Sequence, residues 1–235
     1  MASRCEVVLA AASEQQAQQL AALAITEVRR IESKYSRYRA DSVLSRINAQ
    51  AGRASVAIDS ETASLLDYAE ALFVSSAGLF DITSGVLRRA WNFKQQHVPD
   101  DESLAPLLAL VSWSQVQRSQ QEIFLPQVGM EIDFGGFGKE YAADRAASVL
   151  LAQGVQHGYV NLGGDLRIFG PMPDGSAWQI GIADPRASNA GTTCANLPVQ
   201  SGALATSGDY ERYIEVDGVR HCHILLPHNG HSVRY

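Results

Sequence analysis

The spacing of apolar positions divides the chain into an early helical stretch and a later, strand-rich one. Glu6–Ala10 predicts a short strand. Ser13 then opens S-x-x-Q with Gln16, a capping box in which two side chains satisfy amides at a helix start. Behind it, Leu20, Ala24, Val28, Ile31 and Tyr35 recur on one face, which predicts a helix to about Tyr38. A second helix is predicted from roughly Ser60 to Ser76, with Leu65, Leu66, Ala69, Leu72 and Phe73 facing inward and Gly78 placed to stop it. The weak patterning of Arg88–Asp101 is compatible with a mobile loop.

From Ile123 the character changes. "IFLPQVGMEIDF" predicts two strands around a turn at Gln127–Gly129, and a helix follows from about Lys139 to Gln153, closed by Gly154. "GYVNLGGDLRIFG" predicts two strands broken at Gly163–Gly164, and "WQIGIA" predicts another. In "RYIEVDGVRHCHILL", Asp217-Gly218 between alternating apolar runs is the signature of a type I′ hairpin. Helices first, then strands with one embedded helix, point to an α+β fold with a mainly antiparallel sheet. No repeat and no Pro/Gly/Ser linker interrupts residues 1–235, so a single domain is expected.

Composition narrows the function more than the fold. A chain of 235 residues, 46% hydrophobic and 19% charged, can bury a sizeable core. A net charge of −6 without a basic stripe argues against nucleic acid as the main partner. Cys5, Cys194 and Cys222 lie far apart with no CxxC pair and read as small apolar residues or idle thiols. No apolar run approaches the roughly 18 residues a membrane span needs. The chain as given reads as cytoplasmic, and a periplasmic protein whose signal sequence had been removed would look the same.

Candidate chemistry begins at "DFGGFGKEYAADRA", residues 133–146. A strand, a glycine turn and a helix start present free amides to an anion, beside Lys139. The run is neither a Walker A loop nor G-x-G-x-x-G. It is either a phosphate cradle or a tight strand-to-helix corner with Lys139 solvated. Asp81 in "GLFDIT" either caps the next turn or orients a ligand. Asp165, after Gly163–Gly164, is either a turn former or marks backbone drawn close to a ligand. Thr206, Ser207, Asp209 and Glu211 read as a capped loop or a polar site, and His221 and His223 should share one face of a strand.

Taken in order, "FDIT", "EIDFGGFGKEYAADRA", "VNLGGDLRIFG", "IADP", "ATSGDYER" and "HILLPHNG" resemble the successive motifs of the ApbE family of FAD:protein FMN transferases. "MASRCEV" and "SRYRADSVLSRIN" resemble its amino-terminal segments. The resemblance implies a T-fold-like α+β architecture and a magnesium-dependent reaction. FAD would be split, FMN passed to a threonine hydroxyl of an acceptor flavoprotein, and AMP released. It implies flavin contacts at Met1, Tyr38, Leu79, Phe80, Asp81, Asp133, Lys139 and His223. The Gly136 carbonyl would be a metal ligand, and a carboxylate such as Asp133 or His223 would take the acceptor proton. The glycine run would then cradle the FAD pyrophosphate.

The match departs from the family pattern in places. Leu226, His228 and Asn229 stand where Asp, Arg and Thr are usual, Glu140 where Gly is usual, and Leu79 where a smaller residue is usual. The family's later strands, and the Asp–Thr helix start that completes its metal site, have no counterpart before Tyr235. The alternative expectation is therefore a protein that binds FAD or FMN without turnover, and a homodimer that covers an exposed sheet edge.

Overall fold

The computed structural model describes residues 3–93, 97–187, 191–208 and 212–234. The chain forms two compact units, one built from Met1–Ser33 and Phe137–Ser207, the other from Lys34–Gly136 and Gly208–Tyr235.

The first unit is organised by an antiparallel sheet in the order β1 (Cys5–Leu9), β5 (Gly158–Leu162), β6 (Asp165–Phe169), β9 (Gly202–Leu204). Val7 pairs with Val160, Tyr159 with Ile168, and Arg167 with Ala203. The helix α5 (Gly138–Ala152) packs on β5 and β6 through Ala142, Ala143, Ala146, Ala147 and Leu150, all buried. Four alanines on one face let a helix lie close to a sheet, and the fully buried Leu150 side chain contributes about 2 kcal/mol. Gly163 and Gly164 have φ of +71° and +95°, the positive values a two-residue I′ turn requires. β7 (Trp178–Ala183) and β8 (Thr193–Val199) make a separate antiparallel ribbon.

The start of α1 (Glu14–Tyr35) keeps one half of the predicted capping box and shifts the other by one residue, from the Ser13 amide to that of Ala12. The Gln16 amide donates to Ser13 Oγ at 3.2 Å, and Gln16 Oε1 accepts the Ala12 amide at 2.9 Å. Leu20, Ala24, Ile31 and Tyr35 are buried. The helix ends at Tyr35 rather than at Tyr38.

The second unit holds α2 (Val43–Ala49), α3 (Ser60–Ser75), a 3₁₀ helix over Ile82–Arg89, α4 (Asp101–Leu108) and a small antiparallel sheet. That sheet runs β2 (Val56–Ala57), β4 (Glu122–Phe124), β3 (Gln117–Arg118). Within the Arg88–Asp101 stretch, residues 94–96 lie outside the described residues, and Trp91 is held by packing. Trp91 is buried with Val86, Leu87, Leu104 and Ile214, and its Nε1 donates to the Gly230 carbonyl at 2.8 Å.

Two expectations fail here. No strand forms after the Gln127–Gly129 turn. The extended chain there is held instead by Asn48, whose Oδ1 accepts the Ile132 amide at 2.8 Å and whose Nδ2 donates to the Ile132 carbonyl at 3.1 Å. A carboxamide can imitate one rung of a ladder, so the segment needs no neighbouring strand. In the hairpin of β10 (Tyr213–Val216) and β11 (Val219–Cys222), Asp217-Gly218 makes the predicted turn, with φ of +51° and +74°. β11 ends at Cys222, however, so His221 is buried while His223 lies past the strand and is exposed.

Candidate functional site

The residues singled out by the sequence fall into a group in each unit. The division of the chain passes between Gly136 and Phe137, inside the glycine run.

In the second unit, Asp133 is fixed from both sides. Its Oδ1 accepts the Gly135 amide at 3.0 Å, and its Oδ2 is ion-paired with Arg37 Nη1. Its own amide donates to the Ile82 carbonyl at 3.0 Å. Arg37 Nη2 donates to the Tyr38 hydroxyl at 2.8 Å, with the guanidinium 4.9 Å from the ring centroid. Tyr38 is 80% exposed. Phe80 is set by its amide, which donates to Ser76 Oγ at 2.8 Å, and its ring edge lies where a Cβ on Gly136 would come within 2.6 Å. Any side chain at 136 would therefore displace that ring. Leu79 is exposed.

Asp81 is a buried cap. Its Oδ1 accepts the Thr83 amide at 2.7 Å and the Thr83 hydroxyl at 2.6 Å, and its Oδ2 accepts the Trp113 amide at 3.2 Å. His223 Nδ1 lies 3.3 Å from the Arg212 carbonyl, the geometry of a ring N–H donating to backbone. Met1, Asp209 and Glu211 lie outside the described residues.

In the first unit, α5 begins at Gly138 with no side-chain cap on its first turn. Lys139 on that turn is ion-paired with Oδ2 of Asp165, whose residue is 1% exposed. Asp165 Oδ1 accepts the Thr206 amide at 3.0 Å, and the Thr206 hydroxyl donates to the Gly164 carbonyl at 3.0 Å. The Gly164 amide is taken by Asn161 Oδ1 at 2.9 Å. The turn, the lysine and the threonine thus form one polar network around a buried carboxylate. Burial pushes the Glu140 carboxyl above its usual range, and the Asp165 charge adds to this, while its own backbone amide and Lys139 act the other way. Its Oε2 is buried without a hydrogen-bond partner.

The sequence does not single out Arg37, and it marks Asp165 as a turn former or a ligand-side residue but not as the partner of Lys139. The one signal for Arg37 is a cation directly before an aromatic in "SRYRADS". Magnesium takes six oxygen ligands in near-octahedral geometry. Gly136 is exposed, but among the described residues no three His, Cys, Asp or Glu side chains group to hold a metal ion. The described residues do not by themselves assemble the magnesium site. Among them, no helix is long and apolar enough to cross a membrane.

An FAD:protein FMN transferase of Klebsiella pneumoniae is 33% identical over 210 residues, covering 88% of this chain and 64% of its own length. One from Treponema pallidum is 32% identical, covering 85% and 59%. The chain thus spans about 60% of the length of these curated relatives. The solved ApbE protein of Thermotoga maritima is similar with a TM-score of 0.87 and 34% identity, over 98% of this chain and 75% of that one. The apo flavinyl transferase ApbE of Pseudomonas stutzeri gives 0.81 and 28%, over 97% and 72%. The ApbE profile itself matches residues 1–235, and on that full-length match the chain belongs to the ApbE family.

Proposed function

We propose that this protein takes part in transferring FMN from FAD to a threonine hydroxyl of an acceptor flavoprotein, with release of AMP. The threonine oxygen attacks the FMN phosphorus, the bond from that phosphorus to the bridging oxygen breaks, and AMP leaves with the bridging oxygen. Such in-line phosphoryl transfer asks for positioning and charge neutralisation more than for covalent help. The observation that carries the reading is the start of α5. It is a helix N-terminus without a side-chain cap, reached through a glycine run and bearing Lys139, a ready site for linked phosphates.

His223 suits the proton-accepting role. With Nδ1–H directed at the Arg212 carbonyl, Nε2 carries the lone pair that can take the threonine proton. Asp133, tied to Arg37 and to the Gly135 amide, suits an orienting role better than a proton-transfer role. Magnesium dependence enters through the family resemblance alone, with the Gly136 carbonyl as its assigned ligand.

The test incubates the chain with FAD, magnesium and a protein bearing the acceptor threonine. Covalent flavin fluorescence on a denaturing gel, with AMP release, is expected. Tight FAD binding without AMP would leave a flavin carrier. Absence of both binding and thermal stabilisation by FAD would refute the flavin reading, because a ligand of the native state must raise its melting temperature.

A further inference from the structure

Arg37 stands just beyond the last residue of α1, and its guanidinium reaches two residues that the flavin reading uses. Nη1 pairs with the Asp133 carboxylate and Nη2 donates to the Tyr38 hydroxyl at 2.8 Å. The Arg37 side chain is 24% exposed and that of Asp133 15%, so bulk water and salt screen the pair only in part. Asp133 has two further restraints, the Gly135 amide on Oδ1 and the backbone at Gly85, where an added Cβ would lie 2.7 Å from the Asp133 Cβ. Asp133 therefore cannot swing away to follow the arginine. Tyr38 is the reverse case. Its ring stands out into solvent, and the guanidinium that bonds its hydroxyl also packs against its face.

We propose that Arg37 is a positioning residue for flavin binding. Its planar fork carries the fixed geometry of Asp133 over to the exposed Tyr38 ring, holding that ring ready before the flavin arrives. The inference rests on the flavin-binding reading above. An aromatic side chain ordered in advance spares the ligand the entropy of ordering it, worth roughly tenfold in the dissociation constant. Lysine would keep the charge but not the geometry, because an ammonium is a point donor and cannot reproduce a flat fork stacked on a ring.

The test measures FAD affinity by quenching of flavin fluorescence, using the chain as it stands, for wild type, Arg37→Lys, Tyr38→Phe and the double variant. Each single change is expected to raise the dissociation constant roughly five- to tenfold. The double variant should be hardly weaker than the weaker-binding single, because both changes remove one bond. Melting temperatures should stay close to wild type, which a merely structural arginine would not allow. Wild-type affinity in Arg37→Lys, or two effects that multiply independently, would overturn the inference while leaving the flavin reading standing. A wild-type chain that does not bind FAD would remove the flavin reading and this inference together. If Arg37→Lys does not fold, Tyr38→Phe decides alone: its hydroxyl is exposed, and unchanged FAD affinity there overturns the proposal.

Discussion

Replacing Lys139 by methionine would remove one ammonium and little else, since the new side chain keeps an apolar stem of similar length. The group left behind is Asp165, whose side chain is 2% exposed. Its remaining donor would be the Thr206 amide on Oδ1. Stripping the partner from a fully buried pair costs about 3–5 kcal/mol, because the surviving charge stays desolvated. Here the Lys139 side chain is 36% exposed, so water can enter where the ammonium stood and recover part of that cost. We expect a loss of about 2 kcal/mol, a large share of a stability of roughly 5–15 kcal/mol. Urea unfolding followed by circular dichroism reads it directly. Adding Asp165→Asn should restore more than half of the loss, because the amide carries no charge to strand. The same Lys139→Met variant should bind FAD more weakly than wild type while riboflavin, which has no phosphate, is little affected. A loss below about 0.5 kcal/mol, with no rescue by Asp165→Asn, would refute the claim that this ammonium neutralises the buried carboxylate. Equal weakening of FAD and riboflavin would refute its phosphate role.

Ala77 closes α3 in the left-handed region at φ +53°, so Ala77→Gly should stabilise by about 0.5–1 kcal/mol in the same unfolding assay. Asp81→Ala removes the cap of the 3₁₀ helix and three hydrogen bonds, and should cost about 2–3 kcal/mol, read as a lowered urea midpoint. Burial by itself would raise the Asp59 carboxyl, but Lys34, then the Thr62 hydroxyl and amide, hold it at about 2. A depressed carboxyl contributes stability that is in place above its unfolded value near 4 and is lost as pH falls toward 2. Asp59→Asn should therefore flatten the acid limb of a stability–pH profile between those values, and an unchanged limb would count against it.

Elements governed by short-range chemistry were legible from the residues alone. The Ser13–Gln16 box, the Gly163–Gly164 and Asp217-Gly218 turns and the helix α5 with its Gly154 stop depend on neighbours within a few positions. Most of what was not legible depends on partners far along the chain. Nothing near Glu131 tells that Asn48 will supply the rung a strand would have given Ile132. The helix stop expected at Gly78 uses Ala77 as its first left-handed residue, a strained choice that propensity would not suggest. Among the candidate residues, the glycine run, Lys139 and Asp133 stand out by residue type. Their pairings do not: Arg37 is one of several arginines in its stretch, and Asp165, though marked as a turn former or ligand-side residue, carries no sign that it pairs with Lys139. An ion pair between residues 96 positions apart leaves no periodic trace.

The pairing of β1 with β5 bears on how the chain is made. Cys5 is matched with Leu162 and Leu9 with Gly158, so during synthesis β1 has no partner until roughly 150 further residues have followed it. At elongation speeds of roughly 5–20 residues per second, that interval lasts on the order of ten seconds. During it the apolar Val7, Val8 and Leu9 have no sheet to join and stay open to other apolar surfaces.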